Sequence, residues 1–384
     1  MNKILLVEDD PLVSTLYSNK LAAAGYNVEI AVNGQEGFYR IHEQNFTAVV
    51  LDLMLPEMNG LNILRKIRAQ KQFHALPIFV LTNAYLGETI AHAREAGATE
   101  VFSKAATTPR LLVDAVHRYF SGVSPVSSRA AAKPAKSAAT EEPDGSLTDK
   151  FLAQTSDAVS LSRRVLQNLA KATNDSIRIT FLRDLYRPVH GMASGAAATD
   201  LQSVSRISAA LEALVSQLEA NPRQLNASLL RTLASAIDFI GSICAAPRLS
   251  LQRDPSTARI LVVDDDPISR RAVTHALETT NLKGTSVESP DAALGLMKTT
   301  SFDLVISDVN MPGMDGFEMC KSLRTLPENA STPVVFVTSL TDFESRAKST
   351  LSGGSDLIAK PFLPLELGLK ALMLVLKSRL EVSR

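Results

Sequence analysis

The chain has 384 residues, 45% of them hydrophobic, with 40 Lys and Arg against 40 Asp and Glu and two cysteines. That length allows two or three domains, and the zero net charge provides no global field to draw nucleic acid or an anionic membrane. Cys244 and Cys320 form no CxxC pair and no disulfide framework, which fits a reducing cytoplasm. The N-terminus turns acidic at Glu8 after a run too short for a signal-peptide core, and no run approaches the ~18 apolar residues of a membrane span.

Residues 1–120 alternate short apolar runs with helical patterns. The runs predict strands over 3–7, 27–31, 47–52, 77–81 and 99–103, and the patterns predict helices over 11–24, 34–44, 60–70, 87–96 and 108–120. Five βα units in succession imply an α/β fold, a parallel sheet with helices on both faces. Right-handed crossovers then favour a flavodoxin-like doubly wound (βα)5 order. Residues 121–148 shift to Ser, Ala, Lys, Pro and Glu, a composition that cannot bury a core and reads as a flexible linker. Over 149–245 strand signals vanish. Helical patterns run 149–173, 177–197, 200–220 and 223–245, Asp200 is a candidate cap, and Asn221-Pro222 divides the last two. Four helices with short connections suggest an all-α antiparallel bundle. A shorter linker, 246–257, leads into 258–384, where the α/β alternation returns. Its last helix, Leu363 to Leu380, carries Leu367, Ala371, Leu374 and Leu376 on an apolar side expected to cover the sheet, with a homodimer contact as the second reading.

The two α/β segments are copies in register. Asp52 and Asp308 are 256 residues apart, and the same offset links Glu8 to Asp264, Asp9 to Asp265, Thr82 to Thr338, Lys104 to Lys360, Pro56 to Pro312 and Gly60 to Gly316. Such agreement marks a duplicated domain. In a doubly wound sheet the site lies beyond the carboxyl ends of the strands. There strand 1 brings Glu8-Asp9 or Asp264-Asp265, and strand 3 brings Asp52 or Asp308. Three neighbouring carboxylates raise one another's pKa unless a cation is present, and hard oxygen ligands suit Mg²⁺. Thr82 or Thr338 adds a hydroxyl and Lys104 or Lys360 a fixed positive charge. Together these would stabilise a phosphoryl group transferred onto the central aspartate. The plain alternative is that the acids cap the first helix and the lysine neutralises them. Duplication of every site position weighs against it.

Both ends of the chain resemble the receiver domains of bacterial two-component response regulators. The motifs are Ile4-Leu5-Leu6-Val7-Glu8-Asp9-Asp10-Pro11 and Ile260-Leu261-Val262-Val263-Asp264-Asp265-Asp266-Pro267, then the Asp-x-x-x-Pro-x-x-x-Gly segments from Asp52 and Asp308, then the threonines and lysines. The resemblance implies CheY-like domains in which Asp52 and Asp308 accept phosphate from a phosphohistidine. Mg²⁺ would be held by the acids and the backbone of Met54 or Asn310, the threonines would sense the phosphoryl group, and the lysines would hold it. It also implies a cytoplasmic phosphoprotein that is not an enzyme beyond its own phosphorylation and dephosphorylation. Three features depart from the family. Val101 and Leu357 stand where an aromatic switch is common. Lys104-Ala105 replaces the Lys-Pro pair kept at Lys360-Pro361, so the loop holding Lys104 is expected to be set differently. Met54 and Ala84 offer no polar group near the phosphoryl position, where the second copy has Asn310 and Leu340.

In the middle segment His190 precedes a run of small residues, expected to leave its ring accessible to a partner domain, and Leu211-Glu212 follows. This resembles a histidine phosphotransfer (HPt) domain. The Lys-Gly usual in that family is replaced by Ala193 and Ser194, and Pro188 should disturb the helix before the site. Two readings stay open: a phosphorelay through His190, or receivers on an inert helical adaptor or dimerisation bundle. A haloacid-dehalogenase-type phosphatase is a third, because Asp264-Asp265-Asp266 contains the Asp-x-Asp it needs. The expected partners are a sensor histidine kinase or phosphotransfer protein and a downstream protein. The bundle is not markedly basic, so no direct DNA binding is expected.

Overall fold

The computed structural model describes residues 2–55, 58–82, 87–104, 109–121, 145–199, 201–245, 255–339, 349 and 351–381. Pro56, Ala84, Ala105, Asp200 and Leu340, together with most of both expected linkers (122–144 and 246–254), lie outside the described residues. The chain divides into two compact units, Met1–Thr155 with Gly191–Leu201 and Ser156–His190 with Gln202–Arg384.

In the first unit β1 (Lys3–Val7), β2 (Asn27–Ala31), β3 (Ala48–Asp52), β4 (Ile78–Thr82) and β5 (Glu100–Ser103) form a parallel sheet in the order β2-β1-β3-β4-β5. Strands β3 and β4 are buried at every residue, as strands covered on both faces must be, and they lie inside the sheet. The edge strand β2 carries the polar Asn27 and Glu29. Helices α1 (Pro11–Ala23) and α5 (Pro109–Phe120) cover one face through Val13, Leu21, Leu112 and Val116. Helices α2 (Gly34–Glu43), α3 (Gly60–Arg68) and α4 (Gly87–Glu95) cover the other through Ile41, Ile63, Leu64 and Ala93. The flavodoxin-like order expected from the alternation is therefore the observed one.

The second unit repeats that sheet. Strands β6 (Ile260–Val263), β7 (Gly284–Val287), β8 (Leu304–Ser307), β9 (Val334–Thr338) and β10 (Asp356–Ala359) run β7-β6-β8-β9-β10. Its helices are α10 (Pro267–Glu278), α11 (Pro290–Met297), α12 (Gly316–Leu323) and α13 (Pro364–Glu381). Between the sheets in sequence lie α6 (Gly145–Leu169), α7 (Asp175–Ala198), α8 (Gln202–Ala220) and α9 (Ala227–Cys244). Within the second unit Arg183 pairs with Glu219 and His190 with Glu212, so α7 and α8 run antiparallel. Arg163 pairs with Asp238, and Gly241 lies against Val159, so α6 and α9 do likewise.

Pro188 lies inside α7, which continues past it. The proline leaves the carbonyl of Asp184 without its helical donor, and Asp184 is exposed, where water can take that role. Helix α9 has the length and mean hydropathy of a membrane span, contrary to the reading that no segment comes close. Leu229, Leu233, Ile237 and Ile240 are buried, and the helix packs against α8 and α13, so its apolar side belongs to the bundle.

The duplication extends to packing that the motifs do not display. Arg68 donates to the carbonyls of Gly97, Phe73 and Leu76 at 2.7–2.8 Å. Arg324, 256 residues on, donates to Gly353, Thr332 and Ala330 at 2.6–3.1 Å. Gly97 and Gly353 have φ of +93° and +87°, a region that favours glycine. Gly60 and Gly316 answer a different need. A Cβ on Gly60 would lie 2.0 Å from the Asp52 carbonyl oxygen, and one on Gly316 would lie 2.1 Å from that of Asp308. Glycine thus lets the helix after β3 or β8 start directly against the residue that closes the strand. Gly316→Ala should lower stability by about 2 kcal/mol, because backbone rather than a flexible side chain must move. Gly295→Ala, exposed with nothing within 4 Å, should shift it by less than about 1 kcal/mol in the stabilising direction. Urea midpoints followed by circular dichroism check both.

Candidate functional site

Strands β1 and β3 are neighbours, with Val7 paired to Leu51, so their ends deliver Glu8, Asp9 and Asp52 to one place. Carboxylate oxygens of the three lie within 4.8 Å of one another. Lys104 follows β5 and donates its backbone N–H to the carbonyl of Thr82 at 2.9 Å, which aims its side chain back across the strand ends. Its ammonium lies 2.6 Å from Asp52 Oδ2 and 2.7 Å from Glu8 Oε2. Burial alone would pull the Lys104 pKa down. The charges of Asp52 and Glu8 overcome that and hold it above the ordinary lysine value. Asp52 Oδ1 accepts the Met54 N–H at 3.1 Å. Tyr17 on α1, not singled out from the sequence, is buried in the same core. Burial pushes its phenol up, so it stays neutral beside the charged groups.

The second pocket has the same plan. Asp264, Asp265 and Asp308 bring carboxylate oxygens within 4.8 Å of one another. Lys360 Nζ lies 3.0 Å from both Asp264 Oδ2 and Asp308 Oδ2, and its N–H reaches the Thr338 carbonyl at 2.9 Å. Burial would lower its pKa, but hydrogen bonds and charge from both aspartates raise it. Asp308 Oδ1 accepts from Val309 N at 2.7 Å. The Lys360-Pro361 bond is cis.

The third acid of each run has a different task. Asp266 caps α10 by accepting from the N–H groups of Ile268 and Ser269, and Asp10 accepts from Val13 at the start of α1. The Asp-x-Asp reading fails here, because Asp266 is turned to its helix. Two groups near Asp264 escaped notice in the sequence. Ser269 Oγ donates to Asp264 Oδ2 at 2.6 Å, and Arg270 donates to the Asp264 and Asp265 carbonyls at 2.6 and 3.3 Å. The first copy has Val13 and Ser14 at those positions, so no shared motif flagged them.

His190 lies in α7 with Nδ1 2.6 Å from Glu212 Oε1 on α8. Tyr186 stacks on the ring at 5.6 Å between centroids and donates its hydroxyl to the same carboxylate oxygen at 2.9 Å. The spacing of His190 and Glu212 was legible in sequence, and the part of Tyr186 was not. Tyr186 covers one face of the ring, which the run of small residues around it did not suggest.

Both acidic pockets fit a hard divalent cation. Each offers three carboxylates from two strand ends, with one lysine to offset part of their charge.

Comparison with known proteins agrees with this geometry. The family model "Response regulator receiver domain" matches residues 4–117 and 260–371, more than half of the chain. The chain belongs to the response regulator receiver domain family, in which it carries two receivers, and it is a response regulator of two-component signalling. It is 39% identical over 108 residues to an "Uncharacterized 14.6 kDa protein in sodA1 3'region" of Leptolyngbya boryana, covering 28% of this chain and 82% of that one. It is 35% identical over 112 residues to "Transcriptional regulatory protein ResD" of Bacillus subtilis, covering 29% of this chain and 45% of that protein. Among solved structures it is similar to chemotaxis response regulator CheY4 of Vibrio cholerae, at 35% identity and a TM-score of 0.29, covering 31% of this chain and 98% of that one.

Lys104→Met would leave buried carboxylates facing one another with no cation. It should cost the first unit about 3 kcal/mol, with part of the loss recovered when Mg²⁺ is added. Urea midpoints with and without Mg²⁺ measure this, and a midpoint unchanged in both conditions would contradict the pairing.

Proposed function

We propose that Asp52 and Asp308 are phosphoacceptors and that the chain works as a phosphorelay response regulator signalling through protein contacts. The observation that carries this reading is the twofold occurrence of one carboxylate at a strand end, bound by a lysine and flanked by two further acids. An oxygen of Asp52 or Asp308 attacks the phosphorus of a phosphohistidine on a sensor kinase or phosphotransfer protein. The P–N bond breaks and the imidazole leaves. Lys104 or Lys360 steadies the transferred oxygens, and Thr82 or Thr338 donates a hydroxyl to them. Glu8, Asp9, Asp52 and the Met54 backbone, or Asp264, Asp265, Asp308 and the Asn310 backbone, would hold Mg²⁺, which when bound would supply neutralising charge for the transfer.

His190 is the candidate relay histidine, in an HPt-like bundle. Glu212 on Nδ1 fixes the tautomer that leaves Nε2 as the nucleophile, which favours the relay over the inert adaptor. The organisation that goes with this reading is receiver 1 over 1–120, a linker over 121–148, the bundle over 149–245, a linker over 246–257 and receiver 2 over 258–384. The setting is the bacterial cytoplasm, the downstream partner is a protein, and DNA is not bound directly.

Incubation with acetyl phosphate and Mg²⁺ should label both aspartates. Asp52→Asn and Asp308→Asn should each remove about half of the label and the pair nearly all of it. A phosphorylated partner should leave acid-labile label that His190→Gln abolishes. Full labelling of the double variant would overturn the reading, and absence of phosphohistidine would return the bundle to an adaptor. Met54 offers no polar group to orient an attacking water where receiver 2 has Asn310, so phospho-Asp52 should outlive phospho-Asp308. Decay of label in the two single variants gives the comparison, with faster loss from Asp52 as the contrary result.

A further inference from the structure

Helix α13 is buried from Leu365 through Met373 without a break. A helix covering one sheet should expose about a third of its surface, as α5 does, with Leu111 and Tyr119 nearly half exposed. The difference is the bundle. Helix α13 lies on α10 and also packs against α8 and α9. The expectation of an ordinary covering helix is corrected accordingly, and all of these elements belong to one compact unit.

The contact includes a polar lock. Glu366, 3% exposed, accepts from Ser228 Oγ at 2.6 Å and from Thr232 Oγ1 at 3.2 Å, both on α9. One turn further along α13, Lys370 Nζ binds Asp356 Oδ2 at 2.6 Å. Asp356 opens β10. Lys360, directly after the end of β10, binds Asp308. A single four-residue strand therefore joins the acidic pocket at one end to α13 at the other. It is an edge strand, hydrogen-bonded to β9 alone, and so freer to shift than the three strands inside the sheet. In the first receiver the corresponding link is longer and exposed, with Arg118 Nη2 of α5 3.8 Å from Glu100 Oε1 at the start of β5. At the same 256-residue spacing Glu366, Lys370 and Asp356 become Arg110, Asp114 and Glu100, where both charges facing one another would be negative.

We infer that the bundle is the intramolecular target of receiver 2: the α8–α9 face reads the state of Asp308 through Lys360, β10, the Asp356–Lys370 pair and, one turn away on α13, Glu366. This rests on Asp308 being a phosphoacceptor. A phosphoryl group on Asp308 adds bulk and negative charge where Lys360 now bridges Asp264 and Asp308, so Lys360 must give up one of them. A shift passed along β10 tugs Lys370 and α13. Hydroxyl–carboxylate bonds near 3 Å weaken steeply with a displacement under 1 Å, so the lock on α9 responds to a small movement.

The test uses the full chain carrying Asp52→Asn, treated with acetyl phosphate and Mg²⁺. Mass spectrometry reads Asp308 occupancy, and hydrogen–deuterium exchange reads the amides of 228–236 in α9. Phosphorylation should change exchange there about fivefold or more, the lower range of coupling between sites. Glu366→Gln and Asp356→Asn, which keep shape and lose charge, should each reduce that change at least severalfold while Asp308 is still phosphorylated. Occupied Asp308 with unchanged exchange in α9 overturns the inference and leaves the phosphoacceptor reading intact. The same change in exchange in both variants also overturns it. A folded chain in which Asp308 takes no phosphate overturns both.

Discussion

The interaction on which each α/β half depends is the ion pair between the lysine after the last strand and the aspartate that closes the third. Parallel strands of four or five residues bring several carboxylates to one edge, where like charges repel one another. Lys104 and Lys360 change that balance. Each is aimed by a backbone bond to the threonine carbonyl on the neighbouring strand, and each reaches two carboxylates at once. The buried carboxylates are thus matched by a positive charge held in place across the strand ends. Gly60 and Gly316 serve the same constraint from the other side, by letting the next helix begin against the aspartate carbonyl.

Much of this was legible in the sequence, for a physical reason. A strand buried on both faces admits little besides aliphatic side chains, so Val49 to Leu51 and Leu304 to Ile306 announce themselves, and a carboxylate ending such a run has few structural excuses. The constant 256-residue spacing did the rest. Less visible were residues whose importance depends on what lies across a gap. Arg68 and Arg324 look like surface arginines of α3 and α12's end, yet they knit carbonyls that no helix or sheet satisfies. Asp266 stood out in the sequence only through the Asp-x-Asp pattern, and the start of α10 takes it as a cap.

The bundle shows the limit from another angle. The resemblance to HPt domains relates His190 to Glu212, and the antiparallel α7 and α8 bring the two side chains together. The resemblance does not reveal that Tyr186 occupies the ring face and shares the carboxylate. Periodicity likewise predicted the apolar side of the last helix and was silent on its opposite side. Glu366 and Lys370 are charged residues that a pattern assigns to solvent, and they are buried because each finds a partner, Ser228 and Thr232 for one and Asp356 for the other.

The two receivers are thus alike where the chemistry is and different where the chemistry is read. At the strand ends the duplicated residues superimpose in role. On the last helix the copies diverge in charge, from Arg110 and Asp114 to Glu366 and Lys370. The copies also differ at single positions beside the pockets, Met54 against Asn310 and Val13 against Ser269, but the reversal of charge lies on the surface that bears on a neighbour. A duplicated phosphoacceptor gains a second meaning only if its helix faces something the first does not. In the second unit that something is already part of the chain: α8 and α9, seated on α13. In the first receiver α5 keeps Leu111 and Tyr119 about half exposed, where α13 is buried from Leu365 through Met373.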